Sequence, residues 1–354
     1  MKDIVLLMTG AGAPGAPGII SCYRNNGERK IKVVGVDIRE RIPTNLQLDA
    51  FEIVPAAGSS EFVGTVLNVA KKHNVDVIQP LVTRELEVFA RNINVFTDCG
   101  IKICVSPIEN LSIANDKGKL LNALNDAGIS VPSYSIIKEP SEFSEACVKM
   151  GYPESEVCFK PTKSNGSRGF RIVSNTKDRG QLLFGEKPNS TFIKLEEAQG
   201  ILSVMANIPE LLVMEYLPGD EYSVDLLVDN GKVRYCIPRL RTAMNGGIST
   251  RCTIENNSEV IRYCSTVAET LRLHGNIGIQ VRYSRDGEVK ILEINPRVQG
   301  SIVACAAAGV NLPYFAIKQA IREPVPEVKI NWGIEMFRYW NEVYFDVAGH
   351  AFTF

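Results

Sequence analysis

The residue types best suited to chemistry lie close together near the end of the chain, in the segment GIQVRYSRDGEVKILEINPR. If Asp286 and Gly287 form a two-residue turn, the strands on either side pair symmetrically about it, and Gln280 lies directly opposite Glu293. Alternation along the second strand puts Glu293, Asn295 and Arg297 on that same face, with Pro296 near the end of the regular strand. One surface then presents a carboxylate, two amide oxygens and a guanidinium. A hard cation such as Mg²⁺ (or Mn²⁺) takes oxygen ligands from one or two side chains and completes its shell with water and phosphate. A guanidinium beside it suits a transferring phosphoryl group or an acyl phosphate. Taken alone, the same face is also what an ordinary solvated hairpin offers.

Two further segments carry the tools for a nucleotide. The loop running from Lys160 to Gly169 (KPTKSNGSRG) combines Gly166 and Gly169, which let backbone amides approach an anion, with the hydroxyls of Ser164 and Ser167. Lys160, Lys163 and Arg168 add positive charge, so the loop could close over phosphates as a lid. It is not a Walker A loop. The segment LLVMEYLPGDE is an apolar strand running into a turn. Its edge, which runs on through Tyr216, can offer backbone groups to an adenine ring, with Glu215 as an acceptor and Glu221 for ribose hydroxyls. A flexible hairpin loop and a buried strand are the plain structural alternatives.

The elements that must position these groups read as an α/β protein. In the first ~110 residues short apolar strands alternate with helical segments, the pattern of an open parallel sheet. Gly10, Gly12 and Gly15 match G-x-G-x-x-G after the first strand, and Asp37 ends the next one, as in a dinucleotide-binding turn. Pro14 and Pro17, however, remove backbone donors from that loop, and any tight strand-to-helix turn favours glycine. The segment from Ser112 reads as one helix stopped by Gly128, followed by a smaller α/β lobe and two hairpins turning at Asn230-Gly231 and Asp286-Gly287. The expected division is a Rossmann-like domain over 1–111, a second domain over 112–323 with a lid about 132–217, and an extension over 324–354. Aromatic residues in that extension, Trp332, Phe337, Tyr339, Trp340 and Phe345, are expected to pack on the body.

Composition narrows the class. With 39 basic and 40 acidic residues in 354, the net charge of -1 gives no general attraction to nucleic acid or an anionic membrane. No apolar run spans a bilayer and no signal-peptide pattern opens the chain, so a cytoplasmic protein acting on small molecules is expected. Nine scattered cysteines without a C-x-x-C pair read as reduced, mostly buried thiols, and three isolated histidines argue against a zinc site or a histidine-based triad.

In their order along the chain, the Lys117 region, K-P with its Gly/Ser loop, MEYLPGDEYSVD, and Gln280 with E-x-N-P-R resemble the ATP-grasp superfamily. The resemblance covers residues ~1 to 320 and is closest to the halves of the carbamoyl phosphate synthetase large subunit. It implies an ATP-grasp fold of two α+β lobes behind a Rossmann-like pre-ATP-grasp domain. It also implies that Lys117 and Lys160 contact ATP phosphates and that the 163–169 loop is the phosphate lid. Glu215 with the backbone of Leu217 would hold adenine, and Glu221 ribose. Gln280, Glu293 and Asn295 would hold magnesium, with Arg297 on the transferred phosphoryl group. Many relatives carry Glu where this chain has Gln280.

The implied chemistry is activation of a carboxylate as an acyl phosphate and its capture by an amine. For the second substrate, the stretch Arg239 to Arg251 offers Arg239, Arg241 and Arg251 beside a glycine pair, with Arg338 as a further candidate, and reads as a basic loop that binds a carboxylate. A single unit without a glutaminase motif makes a carboxylate-amine ligase the first reading, and relatives are often homodimers. A small-molecule or carbamate kinase-like activity, a carbamoyl phosphate synthetase-like activity, a nicotinamide-dependent dehydrogenase and a non-catalytic ATP-binding subunit are the alternatives.

Overall fold

The computed structural model describes residues 1–164, 166, 168–185 and 190–354. Packing divides them into two compact units. The first is made of 1–115, 222–280 and 294–354, and the second of 116–221 and 281–293.

The first unit contains a parallel sheet in the order Ala50–Ile53, Ile31–Asp37, Ile4–Thr9, Val77–Gln79, Lys102–Ile103. This is a doubly wound arrangement, all parallel, with the order of successive strands reversing direction at Ile4–Thr9. Both faces of that central strand are buried by simple alternation. Ile4, Leu6 and Met8 enter one apolar cluster, while Leu7 enters another with Val34, Phe62, Val66 and Phe89. Phe89 sits edge-on between Phe62 and Phe96, with ring centres 5.4 and 5.7 Å away.

The glycines after the first strand are explained by packing. Gly10 has φ +60°, and a side chain on Gly12 would strike Arg39. A β-carbon on Gly15 would lie 2.4 Å from the Cα of Gly300, so this turn is pressed directly against another stretch of backbone. The Gly12 amide donates to Asp37 at 2.8 Å, and Arg39 also binds that carboxylate. Asp37 is thereby engaged by its own domain.

A second sheet has the order Val289–Asn295, Gly275–Tyr283, Glu221–Asp229, Lys232–Asn245, Ile248–Ile254, Glu335–Phe337. The turn at Asn230-Gly231 has both residues at positive φ, as a type I′ turn requires. The other predicted two-residue turn is different. The Ser284 amide donates to Glu288, the Gly287 amide donates back to Ser284, and Gly287 has φ +77°. Arg285–Gly287 is therefore a three-residue loop with glycine in the left-handed position, which moves the pairing by one residue at the turn. Symmetry about Asp286-Gly287 does not place Gln280 opposite Glu293. Further along, the in-out alternation of the last strand breaks at Leu292 and Glu293, which are both half-buried.

The third sheet, in the second unit, runs Tyr134–Ile137, Leu211–Glu215, Val157–Pro161, Arg171–Val173, Phe192–Ile193. The expected helix from Ser112 is two helices, Ile108–Ala114 and Lys117–Asp126. The break comes from Asp116, whose carboxylate accepts from the Gly118 and Lys119 amides as an N-cap. Gly128, at φ +73°, ends the second helix.

In the extension, Trp332 packs against the core, and Glu335–Phe337 pairs antiparallel with Ile248–Ile254. Phe337, Tyr339 and Trp340 are largely exposed, contrary to the packing expected of them. All nine cysteines are free thiols, and only Cys99 is exposed. Among the described residues, no helix is long and apolar enough to cross a membrane.

Phe89→Ala removes a ring clamped by two others and is expected to destabilise the first unit by about 3–5 kcal/mol. Guanidinium denaturation followed by circular dichroism would show this as a lower midpoint.

Candidate active site

In the second unit the cap on Asp116 places Lys117 at the first position of its helix, buried and pointing at the strand that carries Glu293. Its Nζ donates to the Ser164 carbonyl at 2.7 Å and lies 3.5 Å from Glu293 Oε2. Lys160, on Val157–Pro161, donates its Nζ to the Leu292 carbonyl at 3.1 Å. Burial pushes the Lys117 ammonium below its ordinary pKa; Glu293 pulls the other way, and the charge of Lys160 adds to the depression. Two buried ammonium groups thus stand close together, with the carboxylates of Glu293 and Asp116 both acting on Lys117. Lys163 extends this positive edge but pairs with Asp116 at 3.7 Å. Such a constellation suits the oxygens of a polyphosphate.

The loop after Lys160 is shaped around glycine. Gly166 and Gly169 have φ +63° and +78°, and a β-carbon on Gly169 would strike Pro161. Ser164 turns its hydroxyl back to the Pro161 carbonyl. Ser167 lies outside the described residues.

Glu215 ends the strand Leu211–Glu215, and its Oε1 accepts from the Ser133 amide and from Lys290 Nζ, at 2.8 and 2.9 Å. Its side chain is therefore already oriented by protein donors. The guanidinium of Arg282 covers the Tyr216 ring at 5.3 Å, Leu217 is buried, and Glu221 opens the next strand.

In the first unit Arg297 is held on three sides. It donates to Thr83 Oγ1 at 3.0 Å, to the Val298 carbonyl at 2.8 Å and to Asn295 Oδ1 at 3.4 Å. Thr83 lies just beyond the carboxyl end of Val77–Gln79, where ligands of doubly wound sheets commonly bind. Gln280 is half-buried on Gly275–Tyr283. Among the described residues, no group of three or more His, Cys, Asp or Glu forms a metal cluster. Of the three residues expected on a cation, Gln280 and Asn295 belong to the first unit and Glu293 to the second.

The arginine-rich stretch is a hairpin and not a loop, turning at Gly246 and Gly247 with φ +56° and +79°. Its three guanidinium groups occupy different settings. Arg239 is fully buried, with Nε donating to Asp225 at 2.6 Å and both terminal nitrogens without a partner among the described residues. Arg241 donates to Ser249 and to the Gly247 carbonyl. Arg251, one of the three arginines expected on a substrate carboxylate, instead pairs with Glu335 at 2.9 Å and covers the Phe337 ring. Arg338 donates to the Gly300 carbonyl; burial and the nearby charge of Arg239 lower its pKa. Gln299 donates to Asp225 and to the Val224 carbonyl, tying the segment after Arg297 to the same buried carboxylate.

The sequence reading missed Thr83 and Glu85. Glu85 is buried in the first turn of Thr83–Arg91, takes a hydrogen bond from Thr9, and is pushed up to about 7, chiefly by burial. The only sequence signal was its place after the carboxyl end of a parallel strand.

Residues 207–338 match the family model described as ATP-grasp in the biosynthetic pathway with Ter operon, and residues 6–104 match the PylC-like, N-terminal domain. The carbamoyl phosphate synthase large chain of Agathobacter rectalis is 25% identical over 209 residues, which cover 56% of this chain and 18% of the relative. The chain spans about a fifth of the length of the curated relatives it matches. Among solved structures, N5-carboxyaminoimidazole synthetase from Staphylococcus aureus complexed with ADP aligns with TM-score 0.67 at 14% identity, over 93% of this chain and 80% of that one. The L-amino acid ligase from Bacillus licheniformis aligns with TM-score 0.65 at 15% identity, over 91% and 75%.

Two titrations check these environments. A polyphosphate beside Lys117 adds negative charge, so ADP should raise its depressed pKa, read from the ¹³Cε shift of labelled lysine. For Glu85, the folded pKa of about 7 exceeds its ordinary 4.5, so its contribution to stability is full below pH 4.5 and is lost as pH rises through 7. Glu85→Gln should remove this pH dependence, worth on the order of 3 kcal/mol, in denaturation curves measured from pH 4.5 to 8.

Proposed function

From an ATP-grasp fold carrying two buried lysines beside the carboxylate of an E-x-N-P-R strand, we propose that this chain is an ATP-dependent carboxylate-amine ligase. The observation that carries the reading is the Lys117–Glu293 contact with Lys160 alongside, since this excess of buried positive charge calls for an anion. Lys117, Lys160 and Lys163 with Ser164, Gly166 and Ser167 bind the phosphates. Leu217, Tyr216 and Glu215 receive adenine, and Glu221 receives ribose.

Gln280, Glu293 and Asn295 would hold Mg²⁺, or Mn²⁺, which when bound neutralises charge on the phosphate oxygens. Arg297, held by Thr83 and Asn295, keeps a fixed guanidinium for the phosphoryl group. A carboxylate oxygen of the substrate attacks the γ-phosphorus, and the bond to the ADP oxygen breaks. The acyl phosphate then accepts an amine nitrogen at its carbonyl carbon, phosphate departs, and the nitrogen loses a proton. Because Arg251 is paired with Glu335, Arg338 beside Arg239 is the better candidate for a substrate carboxylate. Small-molecule carboxylates and amines are the partners of this reading.

ADP release across a panel of amino acids and other carboxylates, with and without amines, tests it. Release should depend on one carboxylate, rise with an acceptor, and fall at least about 100-fold in Glu293→Ala. ATP binding without release in any mixture would instead support a non-catalytic nucleotide-binding protein.

A further inference from the structure

A second cavity, of about 640 Å³, lies wholly within the first unit. It is lined in part by Lys102, Arg234, Arg322, His274 and Gln319. Topology sets it apart from the candidate active site. Lys102 opens its strand, so it stands at the amino edge of the parallel sheet, whereas Gly10 and Thr83 follow the carboxyl edge. His274 precedes the strand Gly275–Tyr283, on which Gln280 lies roughly 20 Å further along.

Three observations bear on what this cavity holds. The side chains of Lys102, Arg234 and Arg322 have no hydrogen-bond or ion-pair partner among the described residues, although all three face the same space. The cavity's two carboxylates do not cancel this charge freely. Glu323 is bound to buried Arg29, and Asp229 accepts from the Asn230 side chain at 2.9 Å.

The third observation is a buried acceptor. Gln319 donates through Nε2 to the Val228 carbonyl at 2.8 Å, but its Oε1 is buried without a partner among the described residues. A buried acceptor of this kind is costly unless a donor reaches it. The His274 imidazole beside it accepts from the Asn230 amide and is kept toward its neutral form by burial.

We propose that this cavity is a second ligand site, for a small phosphate monoester that also carries hydroxyl groups. The phosphate is met by Lys102, Arg234 and Arg322, and a hydroxyl donates to Gln319 Oε1 after a turn of that side chain brings the buried oxygen to the cavity surface. The volume lies in the range of small-molecule pockets. Two guanidinium groups with an ammonium favour a compact dianion over a single carboxylate. The site does not depend on the ligase reading.

Isothermal titration of the whole chain with ribose 5-phosphate and with inorganic phosphate tests it. Ribose 5-phosphate should bind up to about tenfold more tightly than phosphate, the difference expected for one or two added hydrogen bonds. The double variant Lys102→Ala/Arg234→Ala should lose at least about tenfold in affinity for both probes. Its unliganded melting temperature should match the wild type, because neither side chain has a protein partner. Arg322→Gln supplies an independent loss of affinity should the double variant melt early. Equal affinities in wild type and variants, or no heat with wild type up to ~10 mM probe, would overturn the site.

Discussion

Two buried lysines stand close together in the second unit, Lys117 against Glu293 and Lys160 on the Leu292 carbonyl, and much of the local structure accommodates their charge. Removing an ammonium group from water costs several kcal/mol even after relaxation. Lys117 meets the cost in part through the Ser164 carbonyl and Glu293, and Lys160 through the Leu292 carbonyl. What remains is a depressed Lys117 and surplus positive charge next to a glycine-shaped loop. The helix break at Asp116 matters for the same reason. Without that cap Lys117 would be an interior helical residue, and its direction would follow the apolar face of the helix instead of the strand carrying Glu293.

The first unit answers a related problem with a different device. Arg239 is buried completely against Asp225, and Gln299 donates to the same carboxylate. Through Gln299 the polar group under the sheet anchors the segment that begins at Arg297. The same segment is pinned again where Gly300 meets Gly15. A site whose chemistry depends on placing a guanidinium within fractions of an ångström benefits from such support. It also explains why the G-x-G-x-x-G pattern here is no evidence for a dinucleotide. Gly15 is required by close approach to backbone, and Asp37 is already bound to Gly12 and Arg39.

Much of this protein was legible in its sequence. Continuous apolar runs specified the parallel strands, because a strand buried on both faces needs apolar residues at successive positions, as from Ile4 to Met8. The order of the lysines, the glycine loop and E-x-N-P-R resembled the ATP-grasp superfamily, and the fold which that resemblance implied is the one found. Asn230-Gly231 specified its own turn through backbone sterics alone. Other features were decided only by tertiary structure. One residue in the loop at Arg285–Gly287 shifts pairing at the turn, and turn length is set by hydrogen bonds to Ser284 that no dipeptide preference encodes. Arg239, Arg241 and Arg251 look equivalent in sequence, yet one is buried, one braces its hairpin and one pairs with Glu335, because each faces a different neighbour. Glu85 and the cavity at Lys102, Arg234 and Arg322 draw on residues distant in the chain, and their properties arise from burial and convergence, which composition and spacing do not carry.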